Sequence, residues 1–220
     1  MLQLNGFIPE KEQIRNIIFD FGGVICNLDI DRTLEKFKSF ESPELGNSTS
    51  KEDINHTFDL LVEHFETGEI SMQQFRDTIR QYYGNFLTDA DIDNAWNAML
   101  IGIPASRIRL LEDIRSRYRI FLLSNTNSIH YKEYSQAFFK ETGYKSFDDL
   151  FEKAWFSHNL GLRKPGRKIF DTILAEKNLK PEETLFIDDT LANVSGARLT
   201  GMHAYHLKDG TTISDLFQQA

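Results

Sequence analysis

Cysteine is nearly absent. Cys26 stands alone in 220 residues, so no disulfide can form within the chain. That usage suits a reducing compartment. Long apolar runs are missing too, with none near the ~20 residues of a membrane span. The opening segment MLQLNGFIPEKEQ lacks the charged-then-apolar layout of a secretory leader. Basic charge is scarce: the formal net charge is -8, and no basic stripe is visible to neutralise phosphates. These absences lead us to expect a cytoplasmic chain that binds neither nucleic acid nor membrane, with its acidity serving solubility. Internal repeats and low-complexity tracts are also lacking.

What is there is enough for a self-supporting fold. A chain of this length buries a core without disulfide or metal staples, as one large domain or as a core with a smaller insertion. Five short apolar runs read as buried strands: NIIFDFG, RIFLLSN, KAWFSH, TLFIDD and MHAYHL. Helical patterns of crossover length separate the later ones. Ile108, Leu111, Ile114 and Tyr118 share one stripe, and Ile169, Ile173 and Leu174 another. The alternation predicts an α/β fold, a Rossmann-like doubly wound parallel sheet with helices on both faces.

Residues 30 to about 101 contain no convincing strand. Ile54, Phe58, Leu61 and Phe65 repeat at helical spacing, as do Phe75, Ile79 and Tyr83, and then Ile92, Trp96 and Met99. Gly68 and Gly84 fall where C-cap glycines would end two of these helices, and SPELGNSTSKED reads as a loop. The expectation is a small helical domain, 30–101, inserted into a core made of 1–29 and 102–220.

In open parallel sheets, ligands bind outside the carboxyl ends of the strands. The first strand here ends in Asp20, the second in Ser124 and Asn125, and the fourth in Asp188 and Asp189, while Lys164 follows the third. Asp20 and Asp189 could hold a hard divalent cation, which suits Mg²⁺. Ser124, nearby backbone N–H groups and Lys164 could hold phosphate oxygens. That pairing of charge types suits phosphoryl transfer through an aspartyl-phosphate.

The order and spacing of these segments resemble the haloacid dehalogenase superfamily of Mg²⁺-dependent phosphatases. FDFGGV, LLSNTN, GLRKPG and FIDDTLANVSGA are similar to its four motifs, and the helical insertion is similar to its first type of cap. LSNTNSIH, LGLRKP and HLKDGTTISDLF further resemble the bacterial alpha-D-glucose-1-phosphate phosphatase group. The resemblance implies that Asp20 is nucleophile and metal ligand and that Gly22 lends the metal its backbone carbonyl. It makes Asp189 the acidic ligand, with Asp188 touching the metal directly or through another ligand and Asn193 in support. Ser124, Asn125 and Lys164 would bind the phosphoryl group. The implied substrate is a small phosphorylated metabolite, a sugar phosphate such as glucose 1-phosphate; the protein itself would be a monomer or small homo-oligomer.

One part of the pattern is missing: Gly22 stands where the superfamily usually has its acid/base aspartate. General acid–base help is worth about 10²–10⁴-fold. Its loss would favour anomeric, acyl and aryl phosphates over alkyl phosphates, with a steep dependence of rate on leaving-group pKa that Gly22→Asp flattens. Asp29 and Asp31 are the nearest carboxylates in sequence, but they read better as the acids that begin the first inserted helix. His203 and His206, three apart on a strand, point to opposite faces and make no metal pair. His130 is expected on a helix surface, and Cys26 as a packed thiol. Arg32, His56, Arg76 and Tyr83 are the inserted residues that could face the crevice. Two further readings are carried alongside: a non-catalytic phospho-ligand sensor or interaction protein, and a metal-independent 2-haloacid dehalogenase. The dehalogenase fits poorly, because Asp188 and Asp189 beside Asp20 need a cation.

Overall fold

The computed structural model describes residues 2–4, 14–40, 51–84, 86–208 and 210–219, with 2–4, 51–57, 218 and 219 described by their backbone only. The strands are β1 (Leu2–Leu4), β2 (Asn16–Phe19), β3 (Asn27–Leu28), β4 (Leu100–Gly102), β5 (Arg119–Ser124), β6 (Lys153–Phe156), β7 (Thr184–Asp188), β8 (His203–His206) and β9 (Phe217–Gln219). The helices are α1 (Ile30–Lys38), α2 (Lys51–Glu66), α3 (Met72–Tyr83), α4 (Asp89–Asn97), α5 (Ala105–Ile114), α6 (Ser128–Thr142), α7 (Ser157–Leu160), α8 (Arg167–Glu176), α9 (Leu191–Arg198) and α10 (Ile213–Leu216).

All five apolar runs become strands of one parallel sheet, in the order β6-β5-β2-β7-β8. They lack polar alternation because both faces are covered. Ile17, Phe19, Ile120, Leu122, Leu185 and Ile187 pack with α5 and α6. Ile18, Phe121, Leu123 and Phe186 pack with α8 and α9 on the other face. β2 lies at the centre, so its carboxyl end sits where the strand order reverses, the place where open parallel sheets bind ligands.

Helices α1 to α4 share their own apolar cluster, including Phe37, Phe65, Phe75, Ile79, Ile92 and Trp96, and Ile129 of α6 enters it from the core. Ile54 and His56 lie outside the residues whose side chains are described, as does most of the predicted polar loop. Capping boxes at Ser71 and Thr88 start α3 and α4, each hydroxyl meeting the N–H three residues on. Met99 and Tyr118 lie just beyond the helices to which their spacing assigned them.

Two short antiparallel pairs were not foreseen. β4 lies inside the stretch read as strand-free and pairs with β3, so the two ends of the insertion are tied together. β1 pairs with β9. At two or three residues each, these strands are too short for a periodicity to announce them. Among the described residues, no helix is long and apolar enough to cross a membrane.

Candidate active site

Asp20 follows β2 directly, and Lys164 reaches it from the loop after α7. The Lys164 ammonium is fully enclosed and donates to Asp20 Oδ1 at 2.7 Å, Asp188 Oδ2 at 2.7 Å and the Leu123 carbonyl at 3.0 Å. Its three N–H groups therefore meet three acceptors. Burial pulls the lysine pKa down, but the two carboxylates outweigh burial and hold it above its ordinary value. Asp20 is pushed up to about 7, chiefly by burial, with Lys164 working against the rise and Asp188 and Asp189 adding to it.

Asp188 is saturated with donors. Lys164 and Asn193 meet Oδ2, while Asn193, at 3.1 Å, and the Thr190 N–H, at 2.8 Å, meet Oδ1. Asp189 is less engaged than Asp188: its carboxylate receives the Thr190 hydroxyl, at 3.4 Å, and a bond from its own backbone N–H. Burial and then the neighbouring Asp188 raise its pKa. One oxygen from each of Asp20, Asp188 and Asp189 lies within 4.8 Å of the others. This all-oxygen set fits a hard cation such as Mg²⁺. Asp20 and Asp189 have carboxylate oxygens left to offer it, whereas Asp188 is already engaged.

The phosphate-side residues converge at the same edge. Ser124 is buried at the end of β5. Asn125 points both side-chain amide atoms at Lys164, donating to its carbonyl and accepting from its N–H, each at 2.9 Å. Asn125 thus fixes the backbone that carries the lysine. Behind it, the Ser157 hydroxyl accepts from the Thr126 N–H at 2.9 Å and donates to the Thr126 carbonyl at 3.0 Å.

Two glycines divide the labour in FGGV. Gly23 has φ 70°, and a Cβ there would lie 2.0 Å from Asp189 Oδ2, so only glycine lets this turn approach the carboxylate. Sequence reasoning passed over Gly23, although the doubled glycine was its signal. At Gly22, a Cβ would meet the end of the Leu28 side chain at 2.7 Å. Where the resemblance would put an acid/base carboxylate, this chain has an apolar side chain.

One expectation changes. His130 is buried rather than on a surface: its ring stacks on Trp96 with centroids 4.9 Å apart. Its Nε2 lies 3.0 Å from the Trp96 carbonyl and its Nδ1 3.2 Å from the Asn127 amide. Burial lowers its pKa to about 4, so the ring is neutral, donating through Nε2 and accepting through Nδ1. Arg32 pairs with Asp29, Arg76 forks onto Asp93, and Tyr83 stacks on Phe37 at 5.4 Å. Asp29 and Asp31 do begin α1. Cys26 is buried, and burial pushes its thiol up to about 11. His203 and His206 face different backbone carbonyls, those of Glu182 and Asp189.

A carboxylate that sequence reasoning missed borders this edge. Glu66, the last residue of α2, has its Oε2 3.0 Å from Arg163 Nη2, and Arg163 directly precedes Lys164. The approach is off the N–H direction, so it is an ion pair without a hydrogen bond, and Glu66 Oε2 is buried without any hydrogen-bond partner. Burial raises the Glu66 pKa against the opposing charges of Arg163 and Lys164.

A sequence profile of haloacid dehalogenase-like hydrolases matches residues 14–201. A D-ribitol-5-phosphate phosphatase of Bacteroides thetaiotaomicron is 29% identical over 90% of this chain and 93% of its own length. A solved HAD family enzyme of the same organism, in complex with magnesium and inorganic phosphate, is 35% identical with a TM-score of 0.77, covering 93% of this chain and 100% of that one. A predicted HAD-like family hydrolase from Porphyromonas gingivalis is 32% identical with a TM-score of 0.77, covering 94% of this chain and 100% of its own.

Proposed function

We propose that this chain, which belongs to the haloacid dehalogenase-like hydrolases, hydrolyses a small phosphorylated metabolite through an aspartyl-phosphate on Asp20. The observation that carries the reading is the Lys164 ammonium bridging Asp20 and Asp188 at the carboxyl ends of the central strands, with Asp189 completing the oxygen cluster. Relatives of 29–35% identity, one named a phosphatase and one solved with magnesium and phosphate, support it.

The residue roles follow from chemistry. Asp20 Oδ attacks phosphorus, and the leaving alcohol departs opposite it. Mg²⁺ held by Asp20, Asp189 and the Gly22 carbonyl would keep the nucleophile ionised and screen the phosphoryl oxygens. Lys164 offsets the repulsion between the anionic nucleophile and its anionic substrate. Ser124 would donate its hydroxyl to a phosphoryl oxygen, while Asn125 positions Lys164. Asn193 orients Asp188, which in turn holds the ammonium. The insertion, 30–101, acts as a cap over the core, 1–29 and 102–220. A cytoplasmic location fits the single buried thiol.

The finer reading is a sugar or polyol phosphate. Motif resemblance suggests glucose 1-phosphate, and the name of the relative suggests ribitol 5-phosphate. Phosphate release from a panel holding both, with Mg²⁺ and with EDTA, beside Asp20→Asn, tests the proposal. Metal-dependent release that the variant loses is the expected result. Ligand binding without turnover would make the chain a sensor, and halide release without metal a dehalogenase; either would overturn it.

A further inference from the structure

We infer that Glu66 of the insertion is the proton donor to the leaving group, taking the place that Gly22 leaves without a carboxyl; this rests on the phosphatase reading above. An alkyl phosphate expels an alkoxide, which needs a proton as the P–O bond breaks. Core residues are poorly placed to give one. Asp20 is the nucleophile, Asp188 is saturated by Lys164, Asn193 and Thr190, and Asp189 is committed to the cation. Leu28 fills the space in front of Gly22. His130 is locked between Trp96 and Asn127.

The other acids nearby are exposed, and Glu63 shares Arg163 with Glu66. Asp29 pairs with Arg32. Glu69 pairs with His64, and hydrogen bonds hold its pKa below the ordinary range. Glu66 differs in three respects. It is mostly buried, its Oε2 has no hydrogen bond, and it sits against the residue preceding Lys164. The turn that follows fixes its place. Gly68, at φ 71°, brings the insertion so close to α7 that a Cβ would lie 2.3 Å from the His158 carbonyl. Two more unpaired buried atoms, Arg163 Nε and His158 Nδ1, belong to the same seam.

The charged groups around Glu66 are Arg163 and Lys164 from the core loop and Glu63 from its own helix. Burial outweighs the two cations and raises its pKa, the direction that favours a proton donor. In the first half-reaction, Asp20 Oδ bonds to phosphorus and the ester P–O bond breaks. The Glu66 carboxyl proton passes to the departing oxygen, giving the alcohol. In the second, water attacks phosphorus, its proton returns to Glu66, and the P–O bond to Asp20 breaks to release phosphate. The cycle consumes one water and regenerates both carboxyl groups.

The test is kcat/KM, which reads the steps up to departure of the alcohol and not the later hydrolysis of the aspartyl-phosphate, for Glu66→Gln and wild type with Mg²⁺ on two esters: p-nitrophenyl phosphate, whose leaving group needs no proton, and ribitol 5-phosphate, whose leaving group does. The variant should lose about 10²–10⁴-fold on the alkyl ester and less than about threefold on the aryl ester. The steep leaving-group dependence expected from Gly22 then belongs to the variant and not to the wild type. Arg163→Met, which removes the opposing cation, should keep alkyl turnover and extend it to higher pH. Equal losses on both esters would reduce Glu66 to a structural ion pair. An unchanged alkyl rate, or a wild type active on the aryl ester alone, would overturn the assignment. If the wild type hydrolyses neither ester, the phosphatase reading itself fails, and the role of Glu66 falls with it.

Discussion

The insertion meets the core along two seams built in opposite ways. Where α4 meets α6, the contact is neutral. Trp96 stacks on His130, the Trp96 indole donates to Asn127 Oδ1, and the His130 ring is bonded at both nitrogens. Where α2 meets α7 and the Lys164 loop, the contact is ionic and incomplete. Arg163 lies between Glu63 and Glu66, and atoms of Glu66, Arg163 and His158 are buried without hydrogen bonds. Unpaired buried polar atoms are costly. They persist where a binding or reacting group needs them. The first seam holds the insertion in place, and the second keeps polar capacity beside the lysine.

Trp96→Ala should break the first seam most severely. It removes a buried indole from the insertion's apolar cluster, with its hydrogen bond to Asn127 and its stack on His130, which should cost about 3–5 kcal/mol in urea unfolding. Acid should weaken the same seam. His130 stays neutral in the fold down to about pH 4, while the unfolded chain takes its proton near 6.5. The stability it contributes is complete above pH 6.5 and is lost as pH falls towards 4. The separation corresponds to on the order of 3 kcal/mol. Asp20, raised to about 7 by burial, acts in the opposite sense over part of this window. The quantity to read is therefore the difference between wild type and His130→Gln as a function of pH, which should shrink in acid. The second seam should be the least sensitive: at Arg163→Met the raised Glu66 carboxyl can take a proton once its cation is gone, so stability should change by less than about 1 kcal/mol. A loss there as large as that of Trp96→Ala would erase the contrast.

The strands and the site were legible for the same reason. A strand buried on both faces reads as an unbroken apolar run, so β2, β5 and β7 stood out, and Asp20, Ser124, Asp188 and Asp189 marked their carboxyl ends. Three of those marks, the aspartates, lie in one cluster with Lys164 and Asn193. What stayed hidden depends on contacts between distant segments. Nothing near His130 announces Trp96, and nothing near Gly22 announces that Leu28 fills the space before it. Neither Glu66 nor Arg163 stands out from its neighbours in the sequence. Only the close approach at Gly68 brings them together.

The aspartyl-phosphate on Asp20 is the claim on which the rest depends. Rapid quenching in acid during turnover of p-nitrophenyl phosphate with Mg²⁺, followed by peptide mass spectrometry, tests it directly. The account predicts one added phosphoryl group on the peptide containing Asp20, present only with metal and missing in Asp20→Asn. Turnover with no phosphorylated aspartate, or with Asp20→Asn still active, would contradict it.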